Sequence, residues 1–183
     1  MEPIVTLPYS EWLVAERLME ALPVRQGYSV YVPLSRQQKG VDLLITRRSN
    51  GVSRSATLQV KYSRAYEPKR GPFHFAIWFR SFPVPEQADF FVLAALYPNI
   101  TGRGTGPKSK WWLPLLLLFR RDEMSEFLAS LRTKSGVPDR MFYFGFDSPD
   151  QVVLTRGAAE ERDFTDFTFS KRVVLLKECL SAT

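Results

Sequence analysis

A chain of 183 residues, 45% hydrophobic and 24% charged, is long enough to bury a proper core and reads as an ordinary soluble globular protein, not a disordered segment. A single cysteine, Cys179, excludes an intramolecular disulfide and suits a reducing compartment. No basic-then-apolar leader opens the chain, and its longest apolar run, residues 113–119, is too short for a bilayer, so a cytoplasmic protein with no membrane partner is expected.

In chain order, residues 10–22 (SEWLVAERLMEAL) place Trp12, Leu13, Leu18, Met19 and Leu22 near helical spacing, with Ser10 as an N-cap and Pro23 as the stop. Glu16 and Glu20 lie one turn apart on this helix. A turn at Gly27 leads to a strand over residues 28–32. Residues 40–64 (GVDLLITRRSNGVSRSATLQVKYSR) then read as two strands joined by a polar turn over 47–55, centred on Asn50-Gly51, a pair that tolerates positive φ. Strand alternation sets Asp42, Leu44 and Thr46 on one face of the first strand and Gln59 and Lys61 together on the second. The hairpin therefore predicts Asp42 near Gln59 and Lys61.

Residues 73–82 (FHFAIWFRSF) and 88–97 (ADFFVLAALY) are the next predicted strands. His74 is the only histidine, with no cysteine near it, which excludes zinc and leaves a structural or surface role. Residues 99–110 (NITGRGTGPKSK) form a glycine-rich basic loop that lacks the ending of a phosphate loop and is a candidate DNA contact. Trp111 and Trp112 open a strand through residue 119. They point opposite ways, one packing under a loop, with an exposed stacking surface as the alternative. A helix over 122–131, an aromatic strand over 141–146, an irregular acidic stretch over 150–166 and a helix over 172–180 complete the chain.

The net charge of +6 is local. Residues 36–70 hold nine bases (Arg36, Lys39, Arg47, Arg48, Arg54, Lys61, Arg64, Lys69, Arg70) against two acids, whereas the rest of the chain holds sixteen against seventeen. Such a patch is the footprint expected of a phosphate-backbone binder, the bland alternative being a solvated charged hairpin. A carboxylate, an amide oxygen and an amine on one face are also an odd group to bury. A hard divalent ion would explain them, with the Asp42 carboxylate, the Gln59 amide oxygen and the Val60 carbonyl as oxygen ligands.

That group resembles the PD-(D/E)XK nuclease superfamily, whose motif is an Asp opening one strand and an acid-x-Lys triplet on the next. Here the match is Asp42 with Gln59-Val60-Lys61. Val41 stands where the family often has Pro, and Gln59 where it usually has Glu or Asp. The helix, glycine turn and strand at the start are similar to the family's Holliday-junction resolvases, in which a helix Glu faces the metal; Glu16 matches that position best. The resemblance covers roughly residues 11–97 and implies an α/β fold, a central mixed β-sheet flanked by helices with a restriction-endonuclease-like core, inside a single domain whose remainder, 98–183, it does not place.

It further implies a DNA endonuclease using Mg²⁺ or Mn²⁺, in which the ion polarises the scissile phosphate and acidifies a bound water. Lys61 would orient or deprotonate that water, and Glu16 would hold a second ion or an outer water. DNA is the implied partner, and a homodimer stays open. A catalytically silent DNA-binding or protein-interaction module descended from such an enzyme is the alternative, because Gln59 removes a charge from the site.

Overall fold

The computed structural model describes residues 9–33, 40–69, 71–99 and 112–181. Helix α1 (Tyr9–Ala21) is already helical at Ser10, so the expected cap lies inside its first turn. Its stripe of Val14, Ala15, Leu18 and the following Leu22 is buried, while Trp12 and Met19, both counted on the apolar stripe, face solvent. A short 3-10 turn (Val24–Gln26) ends at Gly27, whose φ of +85° is open only to glycine without strain. A Cβ there would sit 2.1 Å from the Arg48 carbonyl oxygen. This close approach lets the Gly27 carbonyl accept the Arg48 N–H at 2.9 Å and locks the helix-to-strand turn onto the sheet.

Strands β1 (Tyr28–Tyr31), β2 (Leu43–Ser49) and β3 (Val52–Arg64) form an antiparallel meander. The β2–β3 turn is only Asn50-Gly51, with φ of 51° and 78°, the two positive values a tight primed hairpin turn needs. The polar stretch expected as a turn over 47–55 is therefore mostly strand, and each of its side chains has a definite face. After β4 (Phe75–Arg80) the chain returns to the same sheet: β5 (Phe90–Pro98) lies parallel to β3, and β6 (Trp112–Arg120) lies antiparallel to β5. The order β1-β2-β3-β5-β6 makes a mixed central sheet in an α/β chain, as expected.

Its two faces are covered differently. On one, α1 and the last helix α3 (Phe169–Cys179) bury Leu43, Ile45, Leu58, Val60, Val92 and Leu118. On the other lies a second antiparallel sheet of β4, β7 (Met141–Ser148), β8 (Gln151–Arg156) and β9 (Arg162–Asp163), in the order β4-β7-β8-β9, with α2 (Arg121–Ser130) beside it. Between the sheets sits an aromatic core. The Phe127 ring lies 5.0 Å from Phe142, 5.2 Å from Phe164 and 5.8 Å from Phe119.

Residues beyond 97 are thus no appendage. Strand β6 pairs with β5 along nine residues, and β7 pairs with β4. The stretch expected to be irregular, 150–166, supplies β8, β9 and a 3-10 turn (Thr165–Phe167), because Val152 and Leu154 alternate into the core. Among the described residues no helix is long and apolar enough to cross a membrane. His74 is exposed and meets Asp147, its ring Nδ1 lying 3.0 Å from Oδ1. The His74 backbone N–H donated to Asp147 also holds that carboxyl below its ordinary pKa.

Candidate functional site

The β2–β3 ladder ends at the pair Leu43↔Leu58, and its last rung is completed by Asp42, whose N–H donates to the Leu58 carbonyl at 2.8 Å. Two residues farther along β3 the partner strand has run out, and the Asp42 side chain takes its place: Oδ2 accepts the Val60 N–H at 2.7 Å. In an antiparallel ladder a residue turns its N–H and C=O the same way, so the Val60 carbonyl also emerges toward the gap where β2 has stopped. Extending the register by one residue sets Asp42 opposite Gln59. This sets the Asp42 backbone beside Gln59, as the hairpin predicts, while its carboxylate meets the Val60 N–H and the Lys61 amine meets the Phe82 ring.

Gln59 and Lys61 pair with Phe91 and Leu93 of β5, whose side chains belong to the core under the second sheet. They therefore face away from α1. Gln59 is only 7% exposed, and its Oε1 is buried with no hydrogen-bond partner among the described residues. An unsatisfied buried carbonyl-type oxygen costs about 1–3 kcal/mol, and a cation drawn to it would remove that cost. Close packing maintains the burial: Gly40, at φ +89°, lies so near Pro85 that a Cβ would meet its ring at 2.6 Å, and the same Cβ would be 3.8 Å from Gln59 Nε2. The segment bearing Pro85 is fastened to β3 just before Gln59, where Asp89 Oδ2 accepts both the N–H and the hydroxyl of Thr57 at 2.9 Å. Lys61 holds its Nζ 5.2 Å from the Phe82 ring centroid, a cation–π contact that fixes the amine on the Gln59 face.

Glu16 does not join this group. It is exposed on α1, across the sheet from Gln59 and Lys61, and the acid of that helix turned inward is Glu11, which is 9% exposed. Glu11 continues the stripe of Val14, Leu18 and Leu22 at i, i+3, i+7 and i+11, a signal the sequence contained.

The basic patch is split. Arg36, Lys39, Arg70, Trp111 and residues 100–110 of the glycine-rich loop expected over 99–110 lie outside the described residues. Arg47 is on the Ile45 side of β2, where it stacks over the buried Tyr28 ring at 5.2 Å and donates from Nη1 to the Ser181 hydroxyl beyond α3. Arg54, its ladder partner, shares that face. Arg48, Arg64 and Lys69 are exposed. Since only Arg48 of the Arg47–Arg48 pair is free to meet a phosphate, replacing both with Ala should reduce the slope of log K against log salt on duplex DNA by about 0.9, one phosphate's share. A drop near twice that, in an anisotropy titration across salt, would show that Arg47 leaves Tyr28 to bind DNA.

Among the described residues no three His, Cys, Asp or Glu side chains gather as a metal-holding group. An ion here would rely on one carboxylate and neutral oxygens, a donor set that suits a hard cation keeping several waters. Alternation in FHFAIWFRSF carried one further signal: with Phe75, Ile77 and Phe79 inward, Trp78 and Arg80 must point outward, and they line a cavity of about 710 Å³ together with Lys61 and Phe82. Compared with models of known protein families, with curated proteins and with solved structures, the chain finds no match.

Proposed function

We propose that this protein is a metal-dependent DNA endonuclease of the PD-(D/E)XK type with a restriction-endonuclease-like core, its site formed by Asp42, Gln59, Val60 and Lys61. The observation that carries the reading is the buried, unpartnered Gln59 Oε1 on the same face as Lys61 and one rung from the Asp42 carboxylate. Mg²⁺ or Mn²⁺ on these oxygens would supply Lewis-acid polarisation of a phosphate and a more acidic water. The chain's own part is positional. Asp42 holds the Val60 peptide so that its carbonyl faces the gap, Pro85 and Gly40 keep Gln59 in place, and Lys61 offers a cation to a phosphate oxygen or a hydrogen-bond donor to a water. Glu16 has no part in this reading.

The test is nicking of supercoiled plasmid in Mg²⁺ or Mn²⁺ against an EDTA control, run beside Gln59→Glu. An amide oxygen brings no net charge, so the variant, with nearly unchanged volume, should reach half-maximal nicking at lower Mg²⁺. The second reading, a silent nucleic-acid-binding module, is favoured by the lone carboxylate whose Oδ2 is already engaged by Val60. If neither protein nicks DNA and neither binds metal in a calorimeter, the nuclease reading falls and the module stands.

A further inference from the structure

Beyond Lys61 the end of β3 borders a groove of about 710 Å³, lined also by Tyr62, Arg64, Trp78, Arg80 and Phe82. Two properties of this groove bear on its use. Among the described residues its lining contains Lys61, Arg64 and Arg80 and no carboxylate, whereas the cavity beside Arg120 and Arg121 is lined by Asp89, Asp122 and Glu178 as well. It also displays large aromatics to solvent: Trp78 and Tyr62 are each 44% exposed. Exposed rings of this size, spaced along a groove with cations between them, are poor as core and poor as a plain solvated surface.

We propose that this groove holds an unpaired nucleic-acid strand, its bases stacking on Trp78 and Tyr62 and its phosphates meeting Arg64, Arg80 and Lys61. The inference rests on the nuclease reading only for the role of Lys61, and it names the form of substrate that the site receives. The argument for a single strand over a duplex is chemical. Bases in a duplex already have their faces covered by neighbours, so exposed aromatic rings gain little from them, while each base of an open strand offers a face to a ring and tolerates any sequence. The cations supply the salt-dependent attraction common to all nucleic acids. Ser63 Oγ, accepting the Trp78 N–H at 3.2 Å, ties the two walls together, so the groove is preformed. Because Lys61 lines it, a strand in the groove passes directly beside Gln59.

The experiment is anisotropy titration of the full chain with labelled oligothymidylate, oligouridylate and a blunt duplex, in EDTA so that no metal is bound and nothing is cut. The single strands should bind at least about tenfold more tightly than the duplex, the two of them showing whether deoxyribose or ribose is preferred. Trp78→Ala and Tyr62→Ala should each weaken single-strand binding roughly 5- to 100-fold, the range for loss of one base–aromatic stack. Arg64→Gln should lower the salt slope by about 0.7. Trp12→Ala, which removes a 51%-exposed tryptophan outside the groove, should change nothing. Equal affinity for duplex and single strand, or equal losses for Trp12→Ala and Trp78→Ala, overturns the proposal. Strand binding that depends on the rings in a protein that never nicks DNA upholds the groove and removes the nuclease. Nicking that is indifferent to the rings does the reverse.

Discussion

Asp42→Asn is expected to lower metal-dependent cleavage about a hundredfold or more while leaving the fold intact. The size follows from the several kcal/mol that a bound metal contributes to transition-state charge, each 1.36 kcal/mol being about tenfold in rate. Asp42 supplies the one carboxylate of the proposed site, so its loss removes most of the attraction for the ion. The fold survives because an asparagine Oδ1 can accept the Val60 N–H that Asp42 Oδ2 accepts at 2.7 Å. Affinity for DNA in EDTA should hold or rise, since a negative charge facing phosphate is gone. Plasmid nicking, a thermal melt and an anisotropy titration on the same preparation separate these outcomes. Nicking at the parental rate by the pure variant would remove Asp42 from the chemistry.

The largest effect on stability is expected at Phe127. This ring, 6% exposed, meets Phe119, Phe142, Phe144 and Phe164 between the two sheets and joins α2 to both of them. Phe127→Ala leaves a cavity among rigid rings that cannot collapse into it, at a cost of about 3–5 kcal/mol. Against a total stability of about 5–15 kcal/mol, that is a large share. Urea unfolding should show the midpoint falling with an unchanged slope. A loss below about 1 kcal/mol would mean that the neighbouring rings repack and that the core is far softer than its geometry indicates.

The strands and helices with strong local periodicity were legible in the residues alone. The apolar run FFVLAALY, the alternating FHFAIWFRSF and the stripe of α1 each declare their state within one window, and the placing of Asp42 opposite Gln59 follows from hairpin register. What was not legible depends on distant pairing. Nothing near β4 indicates that it leaves the central sheet to pair with β7, some sixty residues later. The stretch 150–166 hides two strands because charged residues interrupt a pattern that only the second sheet completes. The arginines were misjudged for a simpler reason. Treating residues 47–55 as a turn left their faces undefined, whereas in a strand Arg47 and Arg48 must point apart. Trp112, by contrast, was readable only as one of two alternatives, and its 57% exposure answers to the solvent-facing one.

The chain path from β3 to β5 determines how the molecule can assemble. These two strands are parallel neighbours, yet the segment linking them contributes β4 to the other sheet. Closing Leu58 onto Phe90 spans 32 residues, with a loop-closure cost of about 3 kcal/mol, whereas β2 and β3 zip from a two-residue turn at almost none. Folding is therefore expected to start at the Asn50-Gly51 hairpin and to be slowed at the β3–β5 contact, whose closure is helped as β4 finds β7. The two sheets are therefore expected to melt together. In the urea titration of Phe127→Ala, tryptophan fluorescence, which includes Trp78 on β4 and Trp12 on α1, and far-ultraviolet dichroism should trace a single shared transition.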